Sequence, residues 1–114
     1  MLDAMSRDIP ERDWKLFRQI HPVARDRFCE QVLSEICSAS SAASQSAHQR
    51  YLKVFELLSD KNKELAALFD NPRRSSARGQ LAMIASAGLL TDDELSRFTP
   101  ETRKSISVYA SRRI

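Results

Sequence analysis

Two glycines in 114 residues leave this chain with few positions for tight turns. Hairpin turns and many bulges need positive φ, which glycine supplies without strain, so the shortage disfavours a β architecture and suits helices joined by short connections. β-branched residues are scarce, and no stretch alternates cleanly between apolar and polar. Cysteine is limited to Cys29 and Cys37. Eight residues apart on one predicted helix, they stand about 12 Å apart along its axis, too far for a bond between them. They are expected as buried free thiols in a reducing compartment. There is no run of 18 apolar residues, so no transmembrane helix is expected. The N-terminal MLDAMSRDIPERD has no apolar signal core, and the expected location is cytoplasmic.

Motifs that carry chemistry are equally sparse. There is no glycine-rich phosphate loop, no HExxH and no CxxC. The two histidines, His21 and His48, fall on different predicted helices, and the cysteines lack the close pairing of zinc sites. No metal and no cofactor is expected. Asp92, Asp93 and Glu94 occupy the first turn of a predicted helix, where the helix dipole favours acids without any cation.

The length suits one domain, 1–114, with residues 1–8 and 111–114 loose. Its hydrophobic content of 42% and charged content of 29% are ordinary for a globular chain. The fold class expected is all-α: a single-domain irregular helical bundle of five or six helices around one long central helix. That central helix is Ala47 to Phe69, where Tyr51, Phe55, Leu58, Leu65 and Phe69 share one side and Val54, Leu57 and Leu68 widen the stripe. Ser46 with Gln49 forms a capping box, and Asp70-Asn71-Pro72 ends the helix. Ser59 to Asn62, SDKN, interrupts the stripe, which suggests a kink or a break in packing, or a place where a partner's polar group enters; the favoured reading is simply an exposed turn.

Before it, one helix is expected over Pro10 to Ile20, capped by Asp8, with Trp14, Phe17 and His21 on one side. Pro22 restarts the chain into a second helix to about Ser38, nearly collinear with the first and kinked at His21-Pro22. Its apolar face is Phe28, Cys29, Val32, Leu33, Ile36 and Cys37, with SASSAASQS as the connection that follows. After Pro72, Leu81, Ile84, Ala85 and Gly88 form a stripe that Gly88 terminates. Thr91 with Glu94 is a second capping box, opening a short helix to Phe98. Thr99-Pro100-Glu101 opens a last helix with Ile106, Tyr109 and Ala110 on its apolar side.

The run LAMIASAGLLTDDELSRF, Leu81 to Phe98, resembles the αα-hairpin of short C-terminal domains: helix, Gly, aliphatic pair, Thr, acids, second helix. Those modules are thought to mediate association. The resemblance covers under a fifth of the chain. Leu95 stands where that family favours Phe, and Thr99-Pro100 ends the second helix early.

The formal net charge is +3, and its excess is local: residues 71–90 carry three bases and no acid. With Asn71 as a cap, Arg73 and Arg74 sit in a first helical turn, where the dipole disfavours cations, with Arg78 one turn on. Gly79 mid-helix costs about 1 kcal/mol relative to alanine. Together these suggest an anion or partner site of Arg73, Arg74, Ser75, Arg78 and Gln80, with Ser76 as a further donor. The competing reading pairs Arg73 or Arg74 with Asp70 or Glu64 and lets Gly79 admit the central helix. A DNA-reading helix-turn-helix over Gln80 to Phe98 fails, because Asp92, Asp93 and Glu94 would open the recognition helix and repel phosphates.

The functional expectation is a non-catalytic, cytoplasmic protein-interaction or regulatory module that self-associates, its motivation being more apolar helix face than a thin bundle needs. The alternative is nucleic-acid or phosphate-ligand binding through Arg73, Arg74 and Arg78. The partner expected is another protein or a second copy, with nucleic acid as second choice and no membrane.

Overall fold

The computed structural model describes the backbone of residues 8–113 and the side chains of residues 8–108. The looseness expected of residues 1–7 and 114, and the apolar roles expected of Tyr109 and Ala110, lie outside the described residues. Among those described there are five helices and no strand: α1 Glu11–Ser40, α2 Ala47–Phe69, α3 Ala77–Ser86, α4 Asp92–Ser96 and α5 Pro100–Arg113. The long axis is 62 Å and the other two are 26 and 25 Å.

The longest helix is α1, not α2, and it runs unbroken through Pro22. The expected break is absent because burial keeps one register across the proline. Phe17, Ile20, His21, Ala24, Phe28 and Val32 are all buried, at helical spacing on both sides of it. Pro22 lacks an N–H to give Arg18, but its ring lies on the exposed side, where water can reach the freed carbonyl. The start also differs from expectation. Pro10 itself is the N-cap at ψ 152°, and Asp8 makes no cap. Glu11 and Asp13 occupy the first turn.

α2 begins as expected. Ser46 accepts from the Gln49 N–H at 3.1 Å, and the Gln49 side chain accepts from the Ser46 N–H at 2.9 Å. It ends at Phe69, and Asn71 takes the left-handed φ of 50° ahead of Pro72. The two long helices lie antiparallel. His21 Nε2 donates to the Phe69 carbonyl at 2.9 Å, and Arg50 donates to the Ser40 carbonyl at 2.7 Å. Paired residue numbers therefore sum to 90 at both ends of the hairpin, so the register does not slip along its length.

α3 ends in a Schellman turn. Leu89 N–H reaches the Ile84 carbonyl, Gly88 N–H reaches Ala85, and Gly88 carries a φ of 76°. This turns Leu89 into the core, where it is 1% exposed. The Thr91–Glu94 capping box then opens α4. At one end of the molecule Ile9, Phe17, Phe69, Leu81, Ile84, Leu89, Phe98 and Ile106 form one cluster. This head contains the first half of α1, the end of α2, and α3 to α5.

Asp13 fastens the head. It is fully buried, and its carboxylate accepts from the Thr99 N–H at 3.1 Å, the Thr99 hydroxyl at 2.6 Å and the Thr102 hydroxyl at 2.5 Å. It thus takes up donors at the start of α5, where a negative charge also suits the dipole.

Candidate functional site

Beyond the head, the second half of α1 and the first half of α2 continue as a two-helix arm. Here the core thins out. Of the apolar stripe expected to be buried on α2, only Leu68 and Phe69 are buried. Tyr51 is 66% exposed, Phe55 62% and Leu58 51%, and Leu33 on α1 is 61% exposed. The long central helix is therefore only roughly what forms: α2 pairs with α1 and is buried at its last turn. The cysteines differ from expectation for the same reason. Both are free, but Cys29 is half-buried and Cys37 exposed, because no described residue covers that side of α1.

Between the helices of the arm runs an apolar groove of about 190 Å³, lined by Phe28, Val32, Leu33, Leu58, Asn62 and Leu65 among others. A shallower depression formed by Phe55, Leu58, Ser59 and Asn62 adjoins it. SDKN is thus no interruption of the helix: α2 continues through it, and Asn62 stands at the groove.

The arginine cluster lies in the head. The helix there starts later than expected, with Ser76 as the N-cap of α3, so Arg73 and Arg74 precede the helix and Arg78 takes its first turn. Arg74 donates to the Ile9 carbonyl and to Glu11, both at 2.9 Å. Arg78 donates to Glu101, the Asp8 carbonyl and Ser105, each at 3.3 Å. The internal acids are Glu11 and Glu101, rather than the Asp70 or Glu64 that sequence proximity suggests. Arg73 and Ser75 are exposed. Gln80 is buried, and both hydrogens of its amide are used, on the Leu68 carbonyl at 2.9 Å and the Asp70 carbonyl at 3.2 Å. It closes the end of α2. Gly79 faces open space, so among the described residues no helix packs closely there.

One further ion pair docks α4 onto α1. Arg27 meets Glu94 through two hydrogen bonds of 2.7 and 2.9 Å and also donates to the Leu89 carbonyl. The Arg27 hydrogen bonds, helped by the Thr91 N–H, hold the Glu94 carboxyl down at about 2 against the opposing effect of burial. Glu94 in turn raises the Arg27 pKa.

Sequence reasoning missed Asp13, Arg27 and the openness of the arm. Asp13 did leave a signal: it sits four residues before Phe17 on the buried face of α1, where an acid needs a partner. Among the described residues no group of His, Cys, Asp and Glu is arranged to hold a metal, and no helix is long and apolar enough to cross a membrane. No protein-family model matches the chain, so the likeness of Leu81 to Phe98 to short C-terminal domains stays a local pattern of caps. The search of curated proteins and the search of solved structures likewise give no match.

Proposed function

We propose that this chain is a non-catalytic protein-interaction or regulatory module, and that the arm is its binding surface. The observation that carries the reading is the open stripe of Tyr51, Phe55 and Leu58 beside the groove, with Leu33 opposite. Folded monomers rarely leave contiguous apolar patches beyond a few hundred Å² uncovered, and larger ones mark association sites. The groove supplies a shaped recess with almost no polar lining, and α2 supplies aromatic side chains of the kind that anchor interfaces. Cytoplasmic residence belongs to the same proposal and is supported by the two free thiols.

Phosphate or nucleic-acid binding through Arg73, Arg74 and Arg78 is the less favoured reading. An anion would have to displace Glu11 and Glu101 and recruit a Gln80 amide that is already engaged. A partner on the arm displaces only water.

The test is capture from native cells with tagged full-length chain, wild type beside Phe55→Glu, each with and without nuclease. The expected result is stoichiometric protein captured by wild type, lost with Phe55→Glu and indifferent to nuclease. Capture unchanged by Phe55→Glu overturns the arm as the site. Nucleic acid captured by wild type and lost in the Arg73→Ala, Arg74→Ala, Arg78→Ala triple variant transfers the function to the arginines.

A further inference from the structure

We infer that the occupant of the arm is a second copy of this chain. The two arms lie antiparallel about a two-fold axis at the level of Leu58, and together they form a four-helix bundle. This inference rests on the interaction reading above and goes further in naming the partner.

Tyr51, Phe55, Leu58, Asn62, Leu65 and Phe69 follow one another at alternating spacings of four and three, which is the 3.5-residue repeat of a helix-packing seam. Only the last two are covered by the chain itself, Leu65 half-buried and Phe69 buried. The packing against α1 uses the adjoining stripe, Val54, Leu57, Lys61 and Leu68, all half-buried or buried. α2 therefore carries two seams side by side, one closed by α1 and one open. An antiparallel helix pair with its second seam open is half of a four-helix bundle.

Four features favour a second copy as the other half. First, among the described residues no other element is free to cover the arm: α3 and α5 pack on each other in the head. Second, the surface is complementary to itself. Phe55 projects from α2, and the groove lies one to two turns further along the same face, beside Leu58 and Asn62. A two-fold axis at Leu58 sets Phe55 of each copy over the groove of the other.

Third, the size fits. Tyr51, Leu52, Phe55, Leu58 and Leu33 are 49–66% exposed, which amounts to about 500–600 Å² of side-chain surface given the area of such residues. With the groove walls added this approaches the roughly 800 Å² per partner of a standard interface. Fourth, the charge fits. The positions flanking the seam are Leu52, Val54, Ser59, Ala66 and Leu68, all neutral, and Lys61, whose ammonium is held by Glu64 at 3.2 Å. Residues 41–70 carry four bases and four acids. Such a face neither repels its own copy nor selects a partner of opposite charge. Asn62 supplies the polar position that, within a seam, limits alternative registers.

The experiment uses purified full-length chain carrying Cys29→Ser and Cys37→Ser, so that any introduced cysteine is the sole thiol. Sedimentation equilibrium is expected to show a dimer. Phe55→Glu should raise its Kd at least about 30-fold, as the loss of a central anchor does, with helix content unchanged by circular dichroism. Leu58→Cys should oxidise to a covalent dimer. Ser44→Cys should not, since this axis holds the two copies of residue 44 about 40 Å apart. A protein that stays monomeric up to about 100 μM overturns the inference, as does a dimer indifferent to Phe55→Glu. Covalent pairing at 44 in place of 58 overturns the antiparallel arrangement. A monomer whose arm still captures another protein from cells removes the second copy and leaves the interaction reading intact; a monomer without such capture removes both.

Discussion

Phe17 and Phe55 are the same side chain on the two helices of one hairpin, yet Phe17 is fully buried and Phe55 is 62% exposed. The first belongs to the head, where five helices converge and long-range polar bonds close the packing. The second belongs to the arm, where two helices face only each other. Both sit in stripes of helical periodicity, so the period reveals that a face is apolar without revealing what covers it. The head finds its cover within the chain. The arm presents the same kind of face to the outside, and that difference is the basis for assigning stability to one region and recognition to the other.

The sharpest way to break this division is to make one change in both places. Phe17→Ala should cost about 3–5 kcal/mol, the range for emptying a buried aromatic site. Phe55→Ala should change monomer stability by no more than about 0.5 kcal/mol, as exposed substitutions do. Urea unfolding, at concentrations below self-association for Phe55→Ala, measures both. Similar costs at the two positions would abolish the distinction between head and arm.

A second pair of changes moves the head in opposite directions while leaving the arm alone. Gly88 holds a φ of 76°, so Gly88→Ala should destabilise by about 1 kcal/mol. Gly79 lies in the first turn of α3 with open space where a Cβ would go, so Gly79→Ala should stabilise by up to about 1 kcal/mol, the helix-interior value. Thermal unfolding gives the signs, and self-association should be unchanged in both variants. An altered dimer Kd would show that the two regions are coupled.

The smallest effect separates them by pH. Glu94 is held at about 2, below its ordinary 4.5. Its bond to Arg27 therefore contributes fully above pH 4.5 and is lost as the pH falls toward 2, when protonation removes the charge. Arg27 is 35% exposed, and solvent screening limits the contribution to about 1 kcal/mol. Glu94→Gln keeps an acceptor for the capping box, so the stability gap between wild type and Glu94→Gln should be present at neutral pH and close as pH drops through that window. The arm has no ion pair between its helices, only Lys53–Glu56 and Lys61–Glu64 within α2. A gap that persists at pH 2 would mean that Arg27 does not hold Glu94 as described.

What was legible in the sequence was local chemistry. Ser46 with Gln49, Thr91 with Glu94, the Gly88 stop and the Pro72 boundary all depend on groups within a few residues of each other, and all are found in place. The all-helical class follows from the same signals. Features set by distant contacts were not legible. Pro22 reads as a break until the buried faces on either side of it prove to share one register. Asp13 and Arg74 find partners 63 to 89 residues away, and no spacing rule announces them. Of the arginine cluster, the residues were visible and their internal acids were not. The arm was visible only as a surplus of apolar helix face.

The Asp13 clamp also bears on the order in which the molecule comes together as it is synthesised. The contacts of the arm lie within α1 and α2 and their turn is short, so this part of the hairpin can pair while the rest of the chain is still emerging. The clamp joins residue 13 to residues 99 and 102, so the head cannot shut until α5 has begun to form. A nascent chain therefore displays its arm before its head has closed. If the arm receives a second copy, two chains growing side by side on one message can meet through their arms first and complete their separate heads afterwards.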